Sequence, residues 1–278
     1  MICSTVCLTP FRNSSGSVVE PLVLSETALY QFIGQYLWPF MRIGAMFMAV
    51  PIIGARTVPA RVRLVLALLV TALVSPLLAP APTIELLGMP AMLRVLQEVL
   101  IGLALGFSFQ VVMHIFVLSG QLVAMKMGLG FASMNDPSNG ISVTVLSQFY
   151  LLLSTVLFLI FNGHLLVIDL IVRSFDSIPI GTGIGYGEFA MIAGMGSWLF
   201  NAALVFVLPL FTALLVINMA FGIMNRSAPQ INVFTVGFPI ALIFGLIFMW
   251  LSLVAFIPYF RNVFDAAAIF AEHLLRLR

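Results

Sequence analysis

Gly120-Gln-Leu-Val-Ala-Met-Lys-Met-Gly-Leu-Gly-Phe-Ala-Ser-Met-Asn-Asp-Pro-Ser-Asn-Gly140 is a short polar interruption between two long uncharged runs. Gly120, Gly128, Gly130, Gly140 and Pro137 argue against a regular helix through it. It is not an ordinary hydrophilic loop either. Met125, Met127, Leu129, Phe131, Ala132 and Met134 give it an apolar body, and Lys126 and Asp136 are its only charges. Irregular backbone of this kind needs protein or a water-filled cavity around it, because lipid cannot satisfy its N–H and C=O groups. Two readings follow. In one, the stretch folds back into the protein and lines or blocks a path. In the other, it is a re-entrant turn that only packs.

The rest of the chain sets that stretch in an apolar solvent. Hydrophobic residues make up 62% of the sequence and charged residues 8%, against roughly 25% charged in a soluble domain. Too little polar surface exists to cover a soluble globule, so a bilayer or a wall of partner subunits must surround the chain. The net charge of +2 is scattered and gives no reason to expect a nucleic-acid partner. Cys3 and Cys7 both lie near the N-terminus, and His114, His164 and His273 share no ligand spacing. No disulfide framework, metal or cofactor is therefore expected.

Residues 1–26 read as a flexible polar extension or a start assigned too early; they lack the pattern of a signal peptide. Residues 27–54 are long enough to span a bilayer, for which about 20 residues are needed, provided Arg42 is tolerated. An arginine flanked by apolar turns is a functional candidate, or else it snorkels or pairs with a carboxylate of a partner. Arg56, Arg61 and Arg63 form a basic turn, and residues 64–80 make a second, shorter segment that closes a helical hairpin. Residues 85–98 have helix-spaced apolar positions with Arg94, Gln97 and Glu98, which predicts an interfacial helix. The uncharged residues 99–125 follow, with Gly102 and Gly106 as a small-xxx-small pair suited to close helix approach.

Beyond the central stretch, residues 141–168 read as one further span containing Phe161-Asn-Gly-His164. Asn162 and His164 cost energy there unless hydrogen-bonded. A His164–Asp169 pair is conceivable, but its spacing of five is not a same-face spacing and no nucleophile motif accompanies it. The Gly-rich 178–187 reads as a turn, residues 189–221 as a kinked helix or two packed helices around Pro209, and Gly222 to Phe234 as a second polar interruption in which Asn225, Arg226, Gln230 and Asn232 supply donors and acceptors. The last apolar stretch ends near Tyr259, and 261–278 reads as a separate amphipathic helix.

Six simple spans would place the Arg56–Arg63 turn and the basic C-terminal end on opposite sides, dividing Lys and Arg almost evenly. That breaks the positive-inside tendency, as expected of a chain that does not finally sit as a plain six-span bundle. No P-loop, nucleophile elbow, paired carboxylates within a span or Cys pair is present, so no enzyme is predicted. Polar punctuation of apolar hairpins, rich in deformable Met and in Phe, suits a conduit or gate.

Three stretches carry a resemblance: Met127-Gly-Leu-Gly-Phe-Ala-Ser-Met-Asn-Asp-Pro137, Phe161-Asn-Gly-His164, and Met224-Asn-Arg-Ser-Ala-Pro-Gln-Ile-Asn-Val-Phe234 followed by Gly237-Phe-Pro239. In this order they resemble the FliR family, the flagellar export-gate proteins of type III secretion, whose injectisome counterparts form the SctT family. The resemblance begins near Thr27. It implies an all-α, integral membrane-type protein of long apolar hairpins with irregular breaks, built to pack in a helical FliP/FliQ/FliR assembly in the flagellar basal body of the bacterial inner membrane. Residues 27–221 would be a FliP-like part and 222–260 the start of a FliQ-like hairpin.

The implied partners are FliP-like and FliQ-like subunits, FlhA- and FlhB-like export components, and unfolded exported flagellar proteins. The resemblance also implies that the central stretch plugs the closed pore, with Met125, Lys126, Met127, Gly128, Leu129, Gly130, Phe131, Met134, Asp136 and Pro137 as its gate residues. Gly128 and Gly130 would let it move. Arg42, Asn162, His164, Arg226, Pro229, Gln230, Asn232 and Pro239 would serve subunit or hairpin packing. The competing reading is a stand-alone secondary transporter or channel for a small solute, which should show inverted repeats and a midplane site; no internal repeat is evident.

Overall fold

Long uninterrupted apolar runs with few β-branched clusters favour helices, and in a membrane a helix satisfies its own backbone. The computed structural model describes residues 26–80, 88–129, 144–227 and 233–277, and the regular structure among them is helical throughout. Helix α1 spans Glu26–Ala49 and α2 spans Ala60–Val74, followed by a 3-10 turn at Ser75–Leu77. The two form the expected hairpin. Ser75 Oγ donates to the Gln35 carbonyl at 2.7 Å and Gln35 Nε2 donates back to the Ser75 carbonyl at 2.9 Å, tying the end of α2 to α1.

Helix α3, Met89–Lys126, is the spine of the molecule at 38 residues, about 57 Å at 1.5 Å per residue. It starts with Pro90 in its first turn, where a missing N–H costs nothing. Residues 89–98 of the interfacial helix expected at 85–98 are instead the first part of this helix, and 85–87 lie outside the described residues. Met92, Leu93 and Leu96 are exposed while Glu98 is buried, so this polar residue turns into the protein. The Gly102 and Gly106 pair is the line of contact with α1. A Cβ at Gly102 would run into the Arg42 carbonyl oxygen, and one at Gly106 would fall 2.7 Å from Ala49 Cβ.

Helices α4 (Val145–Ile160) and α5 (Gly163–Ser177) replace the single span expected over 141–168 and meet at 64°. The break is at Asn162, whose φ of 54° is left-handed, a conformation Asn tolerates better than most residues. Gly163 follows directly, and the Phe158 ring occupies the space its side chain would take.

Helices α6 (Tyr186–Ser227) and α7 (Val233–Leu274), each of 42 residues, form a second long hairpin. Helix α6 runs through Pro209 as one element, and α7 passes residue 261 without interruption, so the amphipathic end is a continuation of α7. An aromatic seam joins α3, α4, α6 and α7. Phe116 meets Phe206, Phe256 and Phe260, and Tyr150 stacks on Phe256 at 5.6 Å. Such pairs add about 0.5–1.5 kcal/mol each beyond area burial.

Among the described residues, four helical segments are long and apolar enough to cross a membrane (60–77, α3, α6 and α7), and the bent α4–α5 pair makes up to five. Helix α1, with Arg42 in it, is not among them. Helices α6 and α7 leave most of their apolar surface uncovered, with Phe200, Val216, Met219, Trp250 and Val254 all exposed.

Candidate functional site

The central stretch is helical further than its glycines suggested. Gly120 lies inside α3, where it lets α4 approach: a Cβ there would sit 2.6 Å from Ser147 Cα. The helix stops at Lys126 in a Schellman motif. Leu129 N–H donates to the Ala124 carbonyl at 2.9 Å, Gly128 N–H donates to the Met125 carbonyl at 3.2 Å, and Gly128 has φ of 81°. Glycine is the residue for this left-handed cap position. Leu129 then folds back onto the apolar cluster that contains Val123 and Ala124, the hydrophobic contact that accompanies such a cap.

That cluster is built from four helices and decides where the predicted gate residues lie. Met127, 1% exposed, packs with Leu146 of α4 and with Val207, Leu210 and Leu214 of α6. Leu242, Phe248 and Met249 of α7 close it. The Lys126 ammonium sits over the Phe211 ring at 4.2 Å, and Asn218 Nδ2 donates to the Lys126 carbonyl at 3.4 Å. Met125 is exposed. Gly130, Phe131, Met134, Asp136 and Pro137 lie outside the described residues. The described chain stops at Leu129 and resumes at Thr144, and Leu146 lies in the same cluster as Leu129.

A second polar constellation surrounds Arg42. Its Nε donates to Glu98 Oε2 at 2.6 Å, Nη1 to the Ser174 carbonyl at 3.0 Å and to Ser174 Oγ at 3.1 Å, and Nη2 to the Ile178 carbonyl at 3.0 Å. Glu98 Oε1 accepts from Gly181 N–H at 3.4 Å. The guanidinium lies 4.3 Å from the centre of the Phe175 ring. The planar fork of arginine can reach several acceptors at once, which an ammonium could not match. The sequence leaves Arg42 as a functional candidate, or as one that snorkels or pairs with a partner's carboxylate; its carboxylate is in its own chain. Glu98 was missed in the sequence, because its partner lies in a different apolar segment fifty-six residues away.

The other packing candidates are dispersed. Asn162 is exposed at the α4–α5 corner, where its carbonyl accepts from Leu165 and Leu166 N–H. His164 lines a cavity of about 220 Å³ with Phe47, Ile52, Phe158 and Val167, and its Nδ1 is buried without a hydrogen-bond partner. Asp169 pairs with Arg173 at 2.9 Å, one turn along α5, so no His164–Asp169 pair forms. Arg226 and Pro239 are exposed near the facing ends of α6 and α7, and Pro229, Gln230 and Asn232 lie outside the described residues. Gly245 and Phe238 touch the end of α3; Phe238 lies in the Gly237-Phe-Pro239 stretch that carried the resemblance, but neither residue was singled out as a site residue, and Gly245 carried no sequence signal. Among the described residues no group of His, Cys, Asp or Glu could hold a metal ion.

Residues 33–267 match the family described as Bacterial export proteins, family 1. The chain belongs to this family. It is 36% identical to the flagellar biosynthetic protein FliR of Escherichia coli K12 over 244 residues, which covers 87% of this chain and 93% of that protein. It is likewise 36% identical to the flagellar biosynthetic protein FliR of Pectobacterium carotovorum over 252 residues, covering 89% and 96%. The protein of the same name in Bacillus subtilis is 29% identical over 246 residues, covering 87% and 95%. In this member of the bacterial export family, the matched region takes in the Arg42 cluster and the end of α3 and stops inside α7.

Proposed function

We propose that this membrane-embedded flagellar export component is an export-gate subunit. On this reading it joins FliP-like and FliQ-like subunits in the basal body of the inner membrane, next to FlhA- and FlhB-like components. Unfolded flagellar proteins pass through the channel so formed. Residues 27–221 act as the FliP-like part and 222–260 open the FliQ-like hairpin, and the amphipathic C-terminal stretch 261–278 begins within α7. We assign it no catalytic step.

The observation that carries the gate reading is the return of the chain to its point of departure. Leu129 and Leu146 share one apolar cluster, so the described residues on either side of 130–143 are anchored in one place. A segment tethered at both ends in this way can be held across a path without being part of its wall. The uncovered apolar faces of α6 and α7 support the partner reading, since contiguous exposed apolar surface marks contact with lipid or protein.

Two measurements test this. Tagged protein purified from membranes should retain FliP- and FliQ-like subunits by mass spectrometry; recovery as a stable homo-oligomer alone would favour the transporter reading. In the assembled complex, deletion of residues 130–137 should raise the passage of small ions while export is idle. A complex that assembles and stays tight would remove the plug assignment.

A further inference from the structure

The plug reading leaves open what holds the segment in place, and the packing around Met127 bears on that question. Gly245 of α7 has no side chain, and Met127 fills the space. A Cβ added at Gly245 would fall 2.5 Å from Met127 Cγ, 2.6 Å from Cε and 2.7 Å from Sδ. One residue on, the same approach recurs with the roles reversed. A Cβ on Gly128 would fall 2.7 Å from Phe238 Cδ2 and 2.9 Å from Cε2. Met127 on α3 thus fits a notch on α7, and Phe238 on α7 fits against the bare backbone of Gly128. From the other side α6 supplies the Phe211 ring and the Asn218 amide to Lys126.

We propose that Met127–Gly245 and Gly128–Phe238 form an interlock through which the α6–α7 hairpin positions the start of the plug segment, an assignment that rests on the plug reading above. The mechanical argument runs along α3. Upstream, the helix is pinned to α1 by Gly102 and Gly106, to α4 by Gly120, and by the buried Glu98. Close-packed interiors transmit a displacement rather than absorb it. A shift imposed on Met127 by α7 is therefore passed on to Gly128 and Leu129. The capping hydrogen bonds and the left-handed Gly128 give residues 127–129 one conformation, so they act as a fixed root. Gly128 ends the helix in a capped, left-handed conformation. Met127, Gly245 and Phe238 are positioning residues for the gate.

The test uses the full export complex in its membrane, with assembly checked by co-purification, and reads ion leak with export idle beside export of a flagellar subunit. Gly245→Val should assemble and leak several-fold more than the parent, and Gly245→Val with Met127→Ala should return towards the parental level, because the shortened side chain vacates the space. Met127→Cys with Gly245→Cys, in a background lacking Cys3 and Cys7, should cross-link on mild oxidation, stay tight and still export. The inference is overturned if Gly245→Val stays tight while the 130–137 deletion leaks. Failure of the cysteine pair to cross-link also overturns it, as does a cross-linked complex that is tight but exports nothing. If the deletion itself stays tight while the cysteines cross-link, the plug reading fails and the interlock geometry stands.

Discussion

Arg42 Nε and Glu98 Oε2 lie 2.6 Å apart with both side chains fully buried, fifty-six positions apart in the chain. The same guanidinium bonds Ser174 and Ile178, so one side chain fastens α1, α3 and the end of α5 together. Breaking a buried pair by removing one member leaves an uncompensated charge, which costs about 3–5 kcal/mol. Arg42→Ala and Glu98→Ala should each lower the melting temperature of the detergent-purified protein strongly. Arg42→Met with Glu98→Leu should recover most of the loss, because an apolar replacement leaves no orphan charge. Equal damage from the double variant and the single ones would show that the pair acts through more than charge compensation.

Close approach of α1 to α3 makes a contrast between two glycines. A methyl at Gly102 collides with backbone of α1, whereas nothing lies within 4 Å of one at Gly194 on α6. Gly102→Ala should destabilise by about 1–3 kcal/mol, as overpacking does. Gly194→Ala should be neutral or stabilising by up to about 1 kcal/mol from helix propensity. Thermal unfolding of both variants beside the parent decides this, and equal melting temperatures would refute the contact line.

At the α4–α5 corner the backbone of Asn162 matters more than its side chain, which makes no capping hydrogen bond. Asn162→Gly should therefore fold and assemble like the parent, while Asn162→Val should lose about 1–2 kcal/mol for a left-handed residue with a branched Cβ. If Asn162→Gly abolishes recovery of partner subunits, the side chain holds a subunit junction instead.

Much of this fold could be read before any coordinates. Apolar hairpins, the first turn at the basic cluster and the Gly102–Gly106 contact line all follow from residue type and spacing. The end of α3 could not be placed, because Gly120 and Gly128 look alike in sequence: one admits a neighbouring helix and the other caps its own. Arg94, Gln97 and Glu98 read as the polar side of an interfacial helix, because burying a carboxylate is costly unless its partner is known, and that partner lies fifty-six residues upstream. The corner at Asn162 was hidden inside an apolar run that does not change character across it. Of the gate candidates, the apolar body of the stretch was legible, but Met127 turning inward depends on Gly245, a residue with no side chain to announce it.

The Arg42 cluster also orders events in time. As the chain is synthesised, Arg42 emerges first, Glu98 later, and the Ser174 and Ile178 carbonyls only after more than half of the polypeptide exists. Until then α1 carries a cation that hydrocarbon will not accept at low cost. The first helix therefore cannot be released into lipid as a finished element during biogenesis. It must wait at the membrane surface or in a sheltered insertion site until α3 and the end of α5 arrive, so the first helix made is not the first to reach its final state.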